Sequence, residues 1–151
     1  MIALSIRTVV LAILYREGQF LLQLRDDIPN IVYPGQWTLF GGHLEEGETP
    51  ITGLQRELQE EIGYFVPEPL PFGIYSGDRA IRHIYHAPLT VPFNELVLGE
   101  GWDFALVSVD AIREGSYYSA KAGEVRPLGA IHQQILLDFL NSKAATDMNN
   151  A

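Results

Sequence analysis

The sequence predicts an α/β or α+β sandwich in which helices flank a mixed β-sheet. Residues 4–14 and 19–25 are rich in Val, Ile, Leu and Phe and are separated by Glu17-Gly18, the pattern of two antiparallel strands joined by a turn. Leu54, Leu58 and Ile62 recur at four-residue steps behind Thr49-Pro50, as in a capped helix with one apolar stripe. Leu128, Ile131, Ile135 and Phe139 give 127–140 a second helical face. Strands with two packed helices make a layered sandwich.

After the first hairpin, residues 26–36 read as a loop, because Pro29, Pro34 and Gly35 exclude a central strand. Trp37 to Phe40 reads as a short strand ended by Gly41-Gly42. Thr49 caps the first helix, Pro50 suits its first position because its missing N–H would be unpaired there, and Gly63 ends it. Prolines and glycines make 64–75 an irregular, partly extended segment. Strands are expected over 80–93 and 103–109, with a break at Gly99-Glu100-Gly101. The helix over 127–140 closes the domain, and 141–151, polar and small, is expected to fray.

A length of 151 residues suits a single domain, 1–140, and 47% hydrophobic residues suffice for a core. Ten Lys and Arg against 19 Asp and Glu give 10 − 19 = −9, which opposes a general nucleic-acid binder. An acidic surface suits both a protein that gathers divalent cations and one that simply stays dissolved. With no cysteine, disulfides, thiolate metal sites and cysteine nucleophiles are excluded. The apolar run Val9–Leu14 is too short for a membrane span and lacks the flanks of a signal peptide, so the expected location is cytoplasmic, with no membrane partner.

The chemistry concentrates between Gly42 and Tyr64. Glu57, Glu60 and Glu61 stand at i, i+3 and i+4 and project from one side of the first helix. Like charges so spaced cost a helix a few tenths of a kcal/mol per pair. Alone they would read as a solvated acidic face. Their context differs: Gly41, Gly42 and Gly47 let a loop fold against the helix start, and Arg56 can reach Glu48 to brace it. Hard oxygen ligands on one point suit Mg²⁺, or Mn²⁺ as a substitute.

Gly42, five residues, Glu48, seven residues, then Arg56-Glu57-Leu58, one residue, Glu60-Glu61, one residue, Gly63 resembles the Nudix box; Tyr64 departs from it, an aliphatic residue being more usual there. The resemblance implies an α/β/α sandwich and an enzyme that hydrolyses the diphosphate linkage of a nucleoside diphosphate joined to a group X. It implies Glu57, Glu60 and Glu61 as metal ligands for Mg²⁺, with the Gly42 carbonyl a further ligand, and Glu48 and Arg56 as the bracing pair. Glu60 or Glu61 is a candidate base, and Glu100, in the later glycine loop, is another; the alternative for Glu100 is an exposed turn acid. A small nucleotide is the implied partner, and relatives often pair as homodimers. The first expectation for the substrate is a nucleoside triphosphate, including oxidised ones, then a nucleotide sugar; 79–82 carry neither the proline nor the tyrosine that marks some relatives.

Two alternatives accompany this reading. A nucleotide-sensing domain of the same fold would tend to lose box glutamates, and none is lost here. An isoprenyl diphosphate isomerase would use a catalytic cysteine, which the chain lacks. Arg25, Arg79, Arg82, His83 and His86 can meet phosphate but read first as solvated surface residues, and His83 and His86 face opposite ways on a strand. Tyr33 and Trp37 can stack on a base, with packing the alternative, favoured for Trp37.

Overall fold

The turn at Glu17-Gly18 forms with both residues at positive φ, 49° and 77°, and joins β1 (Arg7–Arg16) to β2 (Gln19–Leu24). These come from a computed structural model, which describes residues 5–146. β3 (Trp37–Thr38) and β4 (Phe40–His43) follow, then α1 (Pro50–Ile62), β5 (Leu70–Gly77) and β6 (Ala80–Pro88). β7 (Asp103–Ser108), α2 (Val109–Glu114), β8 (Ser116–Ser119), β9 (Glu124–Pro127) and α3 (Ala130–Leu140) complete the chain.

The main sheet has the order β3-β2-β1-β6-β5, with β7 on β2 and β4 on β1. It is mixed: β1 and β6 run parallel, the other pairs antiparallel. β1 meets β2 only at Tyr15 and Arg16; from Ala12 to Val9 its neighbour on that edge is β4. The two long strands therefore diverge, and 37–43 crosses the gap, pairing first with β2 and then with β1. This split is what makes room for a site.

Strand alternation sorts the core into two clusters. Val10, Ala12 and Leu14 face α1, whose Leu54, Leu58 and Ile62 are fully buried, each contributing about 2 kcal/mol. Leu11, Ile13 and Tyr15 face α3, meeting Ile135, Leu136 and Phe139. The Thr49 hydroxyl accepts the Thr52 N–H at 3.2 Å, and Gly63, at φ 67°, closes α1 in the left-handed region.

Several boundaries differ from the sequence reading. Residues 70–77 form an edge strand, interrupted by a register shift between Pro71 and Gly73. β6 stops at Pro88 rather than residue 93, and Phe93–Glu95 is a single 3₁₀ turn. The short α2 and the β8–β9 hairpin were not anticipated. Pro127 pairs with Ser116 in that hairpin, so α3 begins three residues later than 127, at Ala130. Gly41 and Gly42 do not end a strand but lie within β4. Of the tail, Ala144 and Ala145 pack against the α3-side core, while residues 147–151 and residue 4 lie outside the described residues.

Candidate active site

The second turn of α1 presents Arg56 to the loop that precedes the helix. Arg56 Nε donates to Glu48 Oε2 at 2.8 Å and Nη2 donates to Glu48 Oε1 at 3.0 Å, a bidentate pair. Nη2 also donates to the His43 carbonyl at 3.1 Å, and Glu48 Oε1 accepts the Glu45 N–H at 2.9 Å. The brace expected from the sequence is thus formed, tying the end of β4, the glycine loop and α1 together. The Arg56 hydrogen bond holds the Glu48 carboxyl down to about 2, with the Glu45 N–H helping; Glu48 in turn raises Arg56 above its ordinary value.

Glu57, Glu60 and Glu61 border one cavity of about 650 Å³, together with Gly41, Gly42 and Glu100. Glu100 reaches it because Gly99 N–H donates to the Glu61 carbonyl at 2.8 Å, seating the Gly99–Gly101 loop against the end of α1. The three helix carboxylates do not meet at one point. Arg56 Nη1 draws Glu57 Oε1 to 3.0 Å and Glu60 Oε2 to 3.4 Å, whereas Glu61 turns inward, accepting from Gly41 N at 3.1 Å and Gln23 Nε2 at 3.2 Å. Among the described residues no three acidic, histidine or cysteine side chains form a ready-made metal cage. That corrects the convergence expected from helical spacing alone: i, i+3, i+4 fixes a shared side, while hydrogen-bond partners fix where each carboxylate goes.

Burial raises the Glu61 carboxyl to about 8, with the Glu57 charge adding to it; Gln23, the Gly41 N–H and Arg25 oppose that shift. Gly42 carries the strand up to Glu57, where a Cβ would stand 2.6 Å from the carboxylate. Gly41, at φ 146°, leaves no room for one against the Val10 carbonyl. The donors available here are hard carboxylate oxygens at the edge of an open cavity. This set fits Mg²⁺, which is commonly held by one or two carboxylates with water and substrate phosphates completing its shell. Glu57, Glu60 and Glu61 are the residues that would hold it.

A NUDIX-domain family model matches residues 5–124 of this fold. The chain belongs to the NUDIX family. Nucleoside triphosphatase NudI of Enterobacter sp. (strain 638) is 45% identical over 58 residues, which are 38% of this NUDIX chain and 40% of that protein. The same protein in Escherichia coli O139:H28 is 43% identical over 58 residues, with the same shares. The chain thus matches two-fifths of the length of these curated relatives. Among solved structures, a MutT protein from Methanosarcina mazei Go1 superposes with a TM-score of 0.69 at 20% identity, covering 93% of this chain and 97% of that one. A MutT NUDIX hydrolase from Burkholderia pseudomallei gives 0.67 at 20% identity, covering 87% and 95%. At that identity these structures speak for the fold.

The structure also relocates residues outside the box. Arg82 and His86, read from sequence as solvated, are 6% and 3% exposed, because β6 lies between β1 and β5 and its α3-facing side is covered. His86 Nδ1 and the Tyr15 hydroxyl are 2.9 Å apart. Trp37 is core, its Nε1–H donating to the Tyr117 carbonyl at 3.0 Å. Tyr33 stands edge-on to His132, with ring centroids 5.0 Å apart. Gln23, the one polar residue among Phe20–Leu24, was missed although that interruption of an apolar run marks it; His132 offered no such signal.

Proposed function

We propose that the protein is a Mg²⁺-dependent nucleotide pyrophosphohydrolase that cleaves the diphosphate linkage of a nucleoside diphosphate-X substrate, nucleoside triphosphates first and nucleotide sugars next. The observation that carries this is the cavity bordered by Glu57, Glu60, Glu61 and Glu100, with its loop locked to α1 by the Glu48–Arg56 pair. The NudI relatives are named as nucleoside triphosphatases, which supports the substrate class.

Bound at Glu57, Glu60 and Glu61, the metal would neutralise phosphate charge and acidify a coordinated water. The chain's own residues would do the rest. Arg25 borders both this cavity and its neighbour, placing a fixed positive charge where a phosphate chain would lie. Glu61, held by Gly41 and Gln23, is fixed relative to β4 and β2. Glu60, with a 61% exposed side chain, and Glu100, on the same cavity, are the acids placed to orient a water. Arg56 and Glu48 act as positioning residues.

The test is release of phosphate or pyrophosphate from nucleoside triphosphates, nucleotide sugars, ADP-ribose and dinucleoside polyphosphates, with Mg²⁺ and with chelator. Glu60→Gln, Glu61→Gln and Glu100→Gln are run beside the parent protein. Turnover that chelator and the Glu60 and Glu61 changes abolish supports the proposal. Nucleotide binding with no turnover across the panel overturns it in favour of a sensor.

A further inference from the structure

On the α3-facing side of the sheet, a second cavity of about 390 Å³ adjoins the first, with Gln23, Arg25, Gly41 and Gly42 bordering both. Its floor is the parallel pair β1–β6, where Arg82 stands level with Val9. Arg82 is 6% exposed, yet its Nη1 makes a single hydrogen bond, to the Gly77 carbonyl at 3.3 Å. Among the described residues no carboxylate pairs with it. Every fully enclosed side-chain nitrogen and oxygen among them has a partner, so the unused Arg82 N–H groups open onto the cavity.

Two more buried donors face the same space. His132, 4% exposed, accepts the Leu39 N–H on Nδ1, which leaves its proton on Nε2. Thr38, 3% exposed, has a hydroxyl that bonds nothing among the described residues. Arg7 and Arg25 add charge at the mouth, and Asp78 is the single acid in the lining. In a chain of net charge −9, one cavity thus gathers three arginines against one aspartate. A neutral base edge would satisfy donors but leave the buried guanidinium without a counter-charge, which is costly. An oxyanion, carboxylate or phosphate, satisfies both requirements, and the guanidinium fork matches either one bidentately.

We propose that this second cavity is an oxyanion pocket, with Arg82 as the specificity-determining residue, selecting substrates whose portion beyond the diphosphate carries a carboxylate or a phosphate. The word substrate rests on the hydrolase reading above; the binding preference does not.

Calorimetry on the full chain in chelator, with matched pairs of ligands, tests it. UDP-glucuronate against UDP-glucose isolates a carboxylate, and NADP⁺ against NAD⁺ isolates a phosphate. The acidic member of at least one pair binds about tenfold or more tighter, as charge-assisted hydrogen bonds imply; which pair responds tells carboxylate from phosphate. Arg82→Met abolishes the preference, weakening the acidic ligand far more than the neutral one, and Arg82→Lys retains part of it. Without ligand, Arg82→Met melts higher than the parent, since it removes an uncompensated buried charge. Equal affinities within both pairs, or no binding of any of the four, overturns the proposal. So does a preference that survives Arg82→Met, or an Arg82-dependent preference among GMP, AMP and UMP in place of one for acidity. If Arg82→Met fails to fold, the parent's own pairwise preference and its retention in Arg82→Lys still decide. Hydrolysis without an acidic preference removes this inference alone, and preference without hydrolysis removes the hydrolase reading alone.

Discussion

His132 Nδ1 accepts the backbone N–H of Leu39 at 3.1 Å, at the residue where the chain leaves β2 and joins β1. Gln23 Nε2 reaches the Leu39 carbonyl from the other side at 3.4 Å. Between two ladders, Leu39 has no strand partner for either group, and two side chains supply what the sheet does not.

That bond makes folding sensitive to acid. Burial, with the charges of Arg82 and Arg25 adding, lowers His132 to about 3. Because the folded value lies below the ordinary 6.5, the neutral ring's contribution is complete above 6.5 and is lost as the pH falls from there toward 3. In thermal melts over pH 7 to 4 this should cost the parent a few kcal/mol of folding free energy relative to a variant lacking the group, while Glu61, raised to about 8, works in the opposite sense in both proteins. His132→Gln, which does not titrate, should start lower and fall less steeply. Parallel curves would show that His132 is not the group responsible.

The Glu48–Arg56 pair should matter to rate more than to folding. Arg56→Lys keeps the charge but loses the bidentate fork, and should reduce kcat roughly 10- to 100-fold, with the melting temperature shifting little. Glu48, whose folded value of about 2 lies below its ordinary 4.5, contributes above 4.5 and loses that contribution as the pH falls toward 2. The brace should therefore persist through pH 5, and a kcat gap between Arg56→Lys and the parent should be constant from pH 6 to 9. A gap that closes within that range would argue against positioning.

Adjacent glycines should fail differently. Gly41→Ala would drive a Cβ into the Val10 carbonyl at a φ of 146°, so it should lower stability severely and reduce soluble yield. Gly42→Ala meets a side-chain carboxylate, 2.6 Å away, that can swing aside. It should fold near normally and lose activity and Mg²⁺ affinity by displacing Glu57. Melting curves and metal titrations on the pair check this; equal destabilisation of both would refute the distinction.

Arg126 should hold the loop over 26–36. Its Nε donates to the Gly35 carbonyl at 2.9 Å, and its guanidinium lies 5.9 Å from the Trp102 ring centre. That loop supplies Ile28 and Ile31 to one cavity and Val32 and Tyr33 to the other. Arg126→Ala should raise KM several-fold while changing kcat less than twofold. A loss confined to kcat would show that the loop does not shape binding.

Much of this was legible because it is local. A turn at Glu17-Gly18, a cap at Thr49 and a stop at Gly63 each depend on a few neighbouring residues, and so does the Glu48–Arg56 reach. The edge strand β5 was not, since Leu70 and Ile74 are exposed and a bulge breaks its alternation. Six-residue α2 carries too few turns to show a period. The second cavity was hidden for a different reason. Arg82 is buried because β6 lies between β1 and β5 with its α3-facing side covered, and His132 meets Leu39 across 93 positions of chain. No spacing rule spans that distance. The glutamates were placed on the correct side of α1, but their individual directions follow from Arg56, Gln23 and Gly41.

The alternation of β1 divides labour between its two faces. Val10, Ala12 and Leu14 support the helix that bears the glutamates, while Arg7, Val9 and Leu11 line the neighbouring cavity. Under the proposals above, replacements at Arg7, Val9 and Leu11, and at Ala80 or Arg82 beside them, would retune what is recognised while leaving the helix-facing side of the strand unchanged. One strand gives the molecule two independently adjustable dials, and a lineage of such proteins could diversify its diet while its reaction stayed the same.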